Sequence, residues 1–465
     1  MTRQLSFIFL ISTLILVSCG SIEPVSPEVR VDKTVDVPEA KVSIITLPIA
    51  MDLKPIFDEV NNEVPDYYKD AEQTCEGVSY AYEFKRAPIL FNGEDESVRF
   101  TINGQYALRL NYCAQCTNLF SSKGSCVVPR IYASCGVNET RRKIEIEYLT
   151  QLGIESDYSL KAKTKLAGVK AISPCKITVF NYNATQMVEE EFTSALKDVE
   201  EEIDEQIALL DIKPDIEEVW NSLSEDIDLG IYGKLNLNPE AVAVTPIKFE
   251  KDSAFFTAQI KARPAVRSLS DSEFNKKPLP DLAPFKKDDE FNIDLDIDYL
   301  YDSLNVLLQE SLGGYETTLK KRKVILDSIQ VYGASDSRLS FRVKFSGSKQ
   351  GTLYLTGTPE FEADSQFIAF PDLDFSIETK DALLKSAKWL FDGKITKTIR
   401  DYAQMDLRPT LDELKEELNK ELNIEVEKGV FLDAKLDELA IRLIQPLEQR
   451  LLIRIYLNGK GSVRL

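Results

Sequence analysis

Ile212-Lys213-Pro214-Asp215-Ile216-Glu217-Glu218-Val219 and Leu407-Arg408-Pro409-Thr410-Leu411-Asp412-Glu413-Leu414 follow one pattern: apolar, basic, proline, then apolar positions flanking two acids. Proline lacks the N–H that a first helical turn cannot use and has φ pre-set for a helix, so Pro214 and Pro409 are expected to start matched helices. The offset, Ile212 to Leu407, is 195. Outward from this pair the correspondence continues. Val242-Ala243-Val244 answers Leu439-Ala440-Ile441 at an offset of 197. Upstream, Val98-Arg99-Phe100-Thr101-Ile102 answers Leu339-Ser340-Phe341-Arg342-Val343 at 241. Further upstream, Ile45 to Met51 alternates as a strand and passes into Leu53, Ile56, Phe57, Val60 and Val64 at helical spacing. Ile293 to Tyr299 does the same before Leu300, Leu304, Leu308 and Leu312, with Leu47 to Leu295 at 248. The offsets form two groups about 45 residues apart, and the break falls where cysteines cluster in the first copy. The chain therefore reads as two halves of one plan, the first carrying a cysteine-rich insertion.

Each half runs strand, helix, several strands, long helix, more strands. The first long helix is marked by Val188, Phe192, Leu196, Val199, Ile203, Ile207 and Leu210, with Glu189–Glu191 and Glu200–Glu202 as its solvent face. In the second copy Leu384, Ala387, Phe391, Ile395, Ile399 and Tyr402 repeat the spacing. Between the halves, residues 264–290 carry Pro264, Pro278, Pro280 and Pro284 among serines and paired lysines, a linker composition.

This plan resembles the tubular lipid-binding (TULIP) superfamily, which includes bactericidal/permeability-increasing protein. It also resembles an uncharacterised family of Bacteroidetes lipoproteins of similar size. The resemblance spans roughly residues 41–465 and rests on element order and apolar pattern, with no shared ligand motif. It implies an α+β fold of two tandem TULIP-like halves, each a highly curved antiparallel sheet wrapped around long amphipathic helices. The expected domains are residues 41–263, with the insertion at about 111–150, and residues 291–465. An apolar groove in each half would be lined by Phe192, Leu196, Val199, Ile203 and Ile207, and by Leu384, Phe391, Ile395 and Ile399.

Arg3, the apolar run Leu5 to Val17 and then Leu16-Val17-Ser18-Cys19 form a segment too short to span a bilayer comfortably. The last four residues resemble a bacterial lipobox, which implies removal of residues 1–18 and acylation of Cys19. Residues 19–40, with Pro24, Pro27 and Pro38, read as an extended tether. The protein is thus expected in the cell envelope, lipid-anchored, at the outer membrane. With 56 Lys plus Arg against 76 Asp plus Glu the formal charge is −20, so acyl chains and not a basic patch must hold it, and nucleic acid is a poor partner.

Six cysteines follow Cys19: Cys75, Cys113, Cys116, Cys126, Cys135 and Cys175. An even number in an exported chain points to disulfides, whose pairing spacing alone leaves open; Cys113, Cys116, Cys126 and Cys135 could instead supply a zinc site. Histidine is absent, which removes histidine-dependent nucleophiles, bases and zinc sites. No P-loop, dinucleotide or nucleophile-elbow motif is present. Asp294-x-Asp296-x-Asp298 has Tyr299 where a calcium loop needs glycine, and reads as a strand with a wet face. The expectation is a non-catalytic protein without metal or cofactor that binds a lipid or other long hydrophobic ligand. The alternatives are a structural or interaction lipoprotein with side-chain-filled grooves and a protein partner, and a carboxylate-based hydrolase.

Overall fold

The computed structural model describes residues 37–117, 125–179, 181–268, 276–287, 290–319, 322–333, 337–348, 350–376, 403–427 and 429–465. Cys19, residues 1–18 and the second-copy stripe Leu384, Phe391, Ile395 and Ile399 lie outside them. The fold is mixed α+β, mostly sheet, with a strongly curled main sheet and few helices.

β1 (Ser43–Asp52) leads directly into α1 (Lys54–Glu63). An antiparallel meander follows: β2 (Gly77–Arg86), β3 (Leu90–Asp95), β4 (Ser97–Cys113), β5 (Ile131–Cys135), β6 (Arg142–Ile154) and β7 (Leu160–Ala171). The long β4 pairs with β2 and β3 on one edge and with β5 and β6 on the other. Next come α2 (Thr185–Ala208) and α3 (Lys213–Leu223), the latter with its proline in the first turn. β8 (Pro239–Val244), β9 (Ser253–Ala262) and β10 (Ala265–Arg267) close this part. β11 (Phe291–Leu300) again leads directly into a helix, α4 (Tyr301–Leu312). β12 (Arg322–Gly333), β13 (Leu339–Gly347) and β14 (Gly351–Gly357) belong to a separate five-stranded sheet. α5 (Arg408–Glu421) also begins with its proline, and β15 (Val430–Pro446) and β16 (Arg450–Arg464) end the chain. Unlabelled shorter strands complete a main sheet of eighteen among the described residues.

The register of the central strands repeats. β1 lies antiparallel to β9 with Leu47 opposite Ala258, and β11 antiparallel to β16 with Leu295 opposite Ile455. β9 continues to β8 with Val242 opposite Ile260; β16 continues to β15 with Leu439 opposite Leu457. Corresponding residues are 248 apart in β1 and β11 (Leu47, Leu295) and 197 apart in the flanking strands (Ala258, Ile455). β1 and β11 meet through one pair, Ile44 opposite Asn292, itself separated by 248. Ile49 and Ala50 of β1 run parallel to Val463 and Arg464, and Ile297 and Asp298 of β11 run parallel to Val266 and Arg267. These contacts thus recur with their partners exchanged about the Ile44–Asn292 pair.

Three expectations from sequence are corrected. Residues 264–290 are not all linker: β10 is a paired strand, Leu282 and Ala283 donate backbone N–H bonds to Ser156 and Val242 carbonyls, and the buried Trp220 indole donates to Lys277 O at 2.8 Å. Insertion does not extend to residue 150, because Ile144, Ile146 and Tyr148 of β6 are core. Nor is the acidic side of α2 simply solvated. Glu189, Glu200 and Asp204 accept bonds from the backbone N–H groups of Ala171, Leu166 and Thr164 at 2.7–2.8 Å. These three carboxylates cover the outer edge of β7, which would otherwise offer unpaired donors.

Candidate functional site

α2 lays its apolar stripe on the meander. Phe192, Leu196, Val199 and Ile203, all half-buried, are brought together against a cluster that includes Tyr106, Ile144, Ile146 and Tyr148. Val188 is the fully buried residue of the helix, and Ile207, a turn beyond Ile203, is half-buried. Tyr106 stacks at a tilt on Phe192, with ring centres 5.5 Å apart, while the Tyr148 hydroxyl donates to Leu196 O at 3.0 Å. Burial pushes the Tyr106 phenol up to about 12 and raises that of Tyr148 as well.

The six cysteines pair as Cys75–Cys116, Cys113–Cys126 and Cys135–Cys175. The four thiols that could have formed a zinc set are therefore divided among three disulfides. Cys135–Cys175 sits inside the cluster under α2; the other two bind the end of β4 to its neighbouring loops.

The acids of β11 are paired and not simply solvated. Asp294 pairs with Arg442 at 2.7 Å, Asp296 takes a two-pronged contact from Arg454 at 2.6 and 2.9 Å, and Asp298 pairs with Arg450 at 2.6 Å. The Asp294 and Arg454 side chains are 6% and 10% exposed. A carboxylate row on β11 is neutralised by guanidinium groups from β16, which adjoins it, and from β15 beyond. The sequence showed the acids but not their cross-strand partners.

Two open hollows occupy the central sheet. The polar one, about 510 Å³, has Arg263, Arg267, Asp296 and Arg454 in its walls and residues 37–40 across it. Arg454 Nη1 donates to Pro38 O at 3.0 Å and Arg263 Nη1 to Ala40 O at 2.7 Å, so the segment before β1 is strapped over strands β10, β11 and β16. Lys286, 248 beyond Pro38, likewise accepts from the buried Gln259 Nε2 of β9 at 2.8 Å. The second hollow, about 550 Å³, is mainly apolar, with Pro48, Ile49, Pro246, Phe255, Phe256 and Val463 in its walls and Lys248, Arg464 and Glu96 among its charged neighbours.

The hollows stand at equivalent register positions. Asp296 corresponds to Pro48, Arg454 to Thr257, Ala265 to Ser462 and Arg267 to Arg464 under the offsets of 248 and 197. What is an ion pair in one is Pro48 and Thr257 in the other. Sequence reasoning placed its groove under the long helices and missed this hollow, whose walls come from strands far apart in the chain; the repeat of β1 at an offset of 248 and of β8 at 197 was the signal that could have located it.

Among the described residues no helix is long and apolar enough to cross a membrane. No curated protein matches the sequence. Among solved structures the chain is similar to a crystal structure of lipopolysaccharide binding protein, at 11% identity and a TM-score of 0.27, over 91% of this chain and 99% of that one. A family model described as a domain of unknown function (DUF4403) matches residues 41–465, and the chain belongs to that family.

Proposed function

We propose that this protein is a non-catalytic binder of a lipid or other long hydrophobic molecule, built from two halves of one plan and held in the cell envelope, at the outer membrane, by an acylated Cys19. The observation that carries the reading is the apolar hollow of about 550 Å³ on the central sheet. Its size lies within the roughly 300–1,000 Å³ of small-molecule sites. Phe255, in its wall, remains 40% exposed. Covering such a surface with an acyl chain gains roughly 0.8 kcal/mol per methylene before ordering costs. The exchanged register supports the two-half plan, and the lipobox-like Leu16–Cys19 supports the anchor. The absence of histidine supports a binding role over a catalytic one.

Native mass spectrometry of protein from its own host should show co-purified lipid, and stripped protein should take up a fluorescent fatty acid. Ala50→Trp, which places an indole in the hollow, should weaken uptake at least about tenfold, or 1.4 kcal/mol. Uptake unchanged in Ala50→Trp moves the site elsewhere; no lipid in either experiment removes the function.

A further inference from the structure

We propose that α3, β8, β9 and the turn between β6 and β7 form a recognition groove for a proline-rich extended peptide, occupied in cis by residues 277–287. This segment, Lys-Pro-Leu-Pro-Asp-Leu-Ala-Pro-Phe-Lys-Lys, carries Pro278, Pro280 and Pro284 and no glycine. It belongs to no helix or strand, yet its surroundings repeat at every third residue. Leu279, Leu282 and Phe285 are half-buried, whereas Pro278, Asp281, Pro284 and Lys287 are exposed. The remaining set, Lys277, Pro280, Ala283 and Lys286, supplies bonded backbone groups. Three residues per turn is the period of a polyproline II ribbon, which makes no internal hydrogen bonds and so offers its backbone to a receptor.

The receiving side matches that backbone. Trp220 of α3, 2% exposed, donates its indole N–H to Lys277 O at 2.8 Å. Tyr158, 3% exposed in the β6–β7 turn, donates its hydroxyl to Pro280 O at 2.6 Å, one ribbon turn further on. Burial, and the Asp281 carboxylate beside it, push the Tyr158 phenol up to about 12, so it stays a donor at neutral pH. Ser156 O and Val242 O accept from Leu282 N and Ala283 N at 2.8 and 2.7 Å, and Gln259 Nε2 of β9 donates to Lys286 O at 2.8 Å. Where the segment enters, Lys276 and Lys277 meet Glu225 and Glu240 at 3.2 and 3.6 Å. Aromatic-lined grooves with donors aimed at the ligand backbone are the general means of holding proline-rich peptides. A passive connector would not require two buried aromatic donors set one turn apart.

The groove shares no wall residue with the apolar hollow, so the two are tested separately. A tethered segment meets its groove at an effective concentration of about 1 mM, so nine-tenths occupancy requires a Kd of about 0.1 mM or tighter in trans. The full-length chain with residues 277–287 replaced by a Gly/Ser run of equal length should bind a fluorescein-labelled peptide of residues 276–287 at that strength, read by anisotropy. The native chain, its groove filled, should bind the peptide about tenfold more weakly or worse. Leu279→Ser with Leu282→Ser in the peptide should abolish binding. A replaced chain with native circular dichroism that takes up no peptide at about 1 mM overturns the proposal, as does equal binding by the native chain. A second arm does not depend on the replaced chain folding. Trp220→Phe with Tyr158→Phe in the native sequence should quicken amide exchange at Leu282 and Ala283 about tenfold or more, with exchange in β6 unchanged. Unaltered exchange at those two amides also overturns it.

Discussion

Replacing Arg454 by threonine, the residue at the corresponding place in β9, should be among the more destabilising single changes in the central sheet. Arg454 is 8% exposed and spends three donors on Asp296 and Pro38, at 2.6, 2.9 and 3.0 Å. Its removal leaves the Asp296 carboxylate, 23% exposed, without its cation and frees the strap at Pro38. Breaking a buried pair from one side costs about 3–5 kcal/mol. Asp296→Val should cost a similar amount for the mirror reason, since it strands the guanidinium. Together, Asp296→Val and Arg454→Thr remove both charges and imitate the uncharged pairing of Pro48 with Thr257. Valine is used because Asp296 N donates to Pro264 O, a bond that proline would lose. The double variant should therefore lie within about 1 kcal/mol of the native chain, a coupling of several kcal/mol. Urea unfolding followed by intrinsic fluorescence, with all four chains compared at their midpoints, measures this. A double variant as unstable as the sum of the singles, or an Arg454→Thr chain close to native, would refute the reasoning.

Three further outcomes are expected. Glu200→Ala with Asp204→Ala should uncover the edge of β7, losing about 1.5–3 kcal/mol per charge-assisted bond, and hydrogen exchange at Leu166 and Thr164 should quicken first. Tyr106→Phe should leave stability unchanged or raise it by about 1 kcal/mol in thermal unfolding, because the buried hydroxyl has no partner among the described residues. Glu139 accepts from Gly136 N and pairs with Arg142, which holds its carboxyl below the ordinary 4.5. A depressed folded value means the contribution is full above about 4.5 and is lost as pH falls through the folded value. Protection of the Gly136 amide, with the intrinsic exchange rate divided out, should fall over that acidic range, and Glu139→Gln should abolish that change in protection.

Local pattern made several elements legible. The 3–4 spacing from Val188 to Ile207 marks α2, Pro214 and Pro409 mark the starts of α3 and α5, and alternation marks β1 and β11. Composition misled where a distant partner supplies the missing half of an interaction. The acids of β11 read as wet because Arg442, Arg450 and Arg454 lie about 150 residues away. Glu189 and Glu200 read as solvent-facing because a helix pattern cannot show that a strand edge needs acceptors. Residues 264–290 read as linker although β10 pairs with β11 and Trp220 fastens Lys277. The apolar hollow was illegible for the same reason: Pro48, Phe255 and Val463 share a wall only once the register is formed.

β1 is flanked on one edge by β9 along its whole length and on the other by Asn292, Val463 and Arg464, and the Leu465 N–H donates to Ala50 O. The strand at residues 43–52 is therefore finished by residues some 400 positions later in the chain. Closing a loop of some 400 residues costs only about 3 kcal/mol more than closing a ten-residue hairpin, so the delay is one of time and not of equilibrium. Throughout that interval an apolar ribbon with open donors and acceptors is on offer to any passing strand.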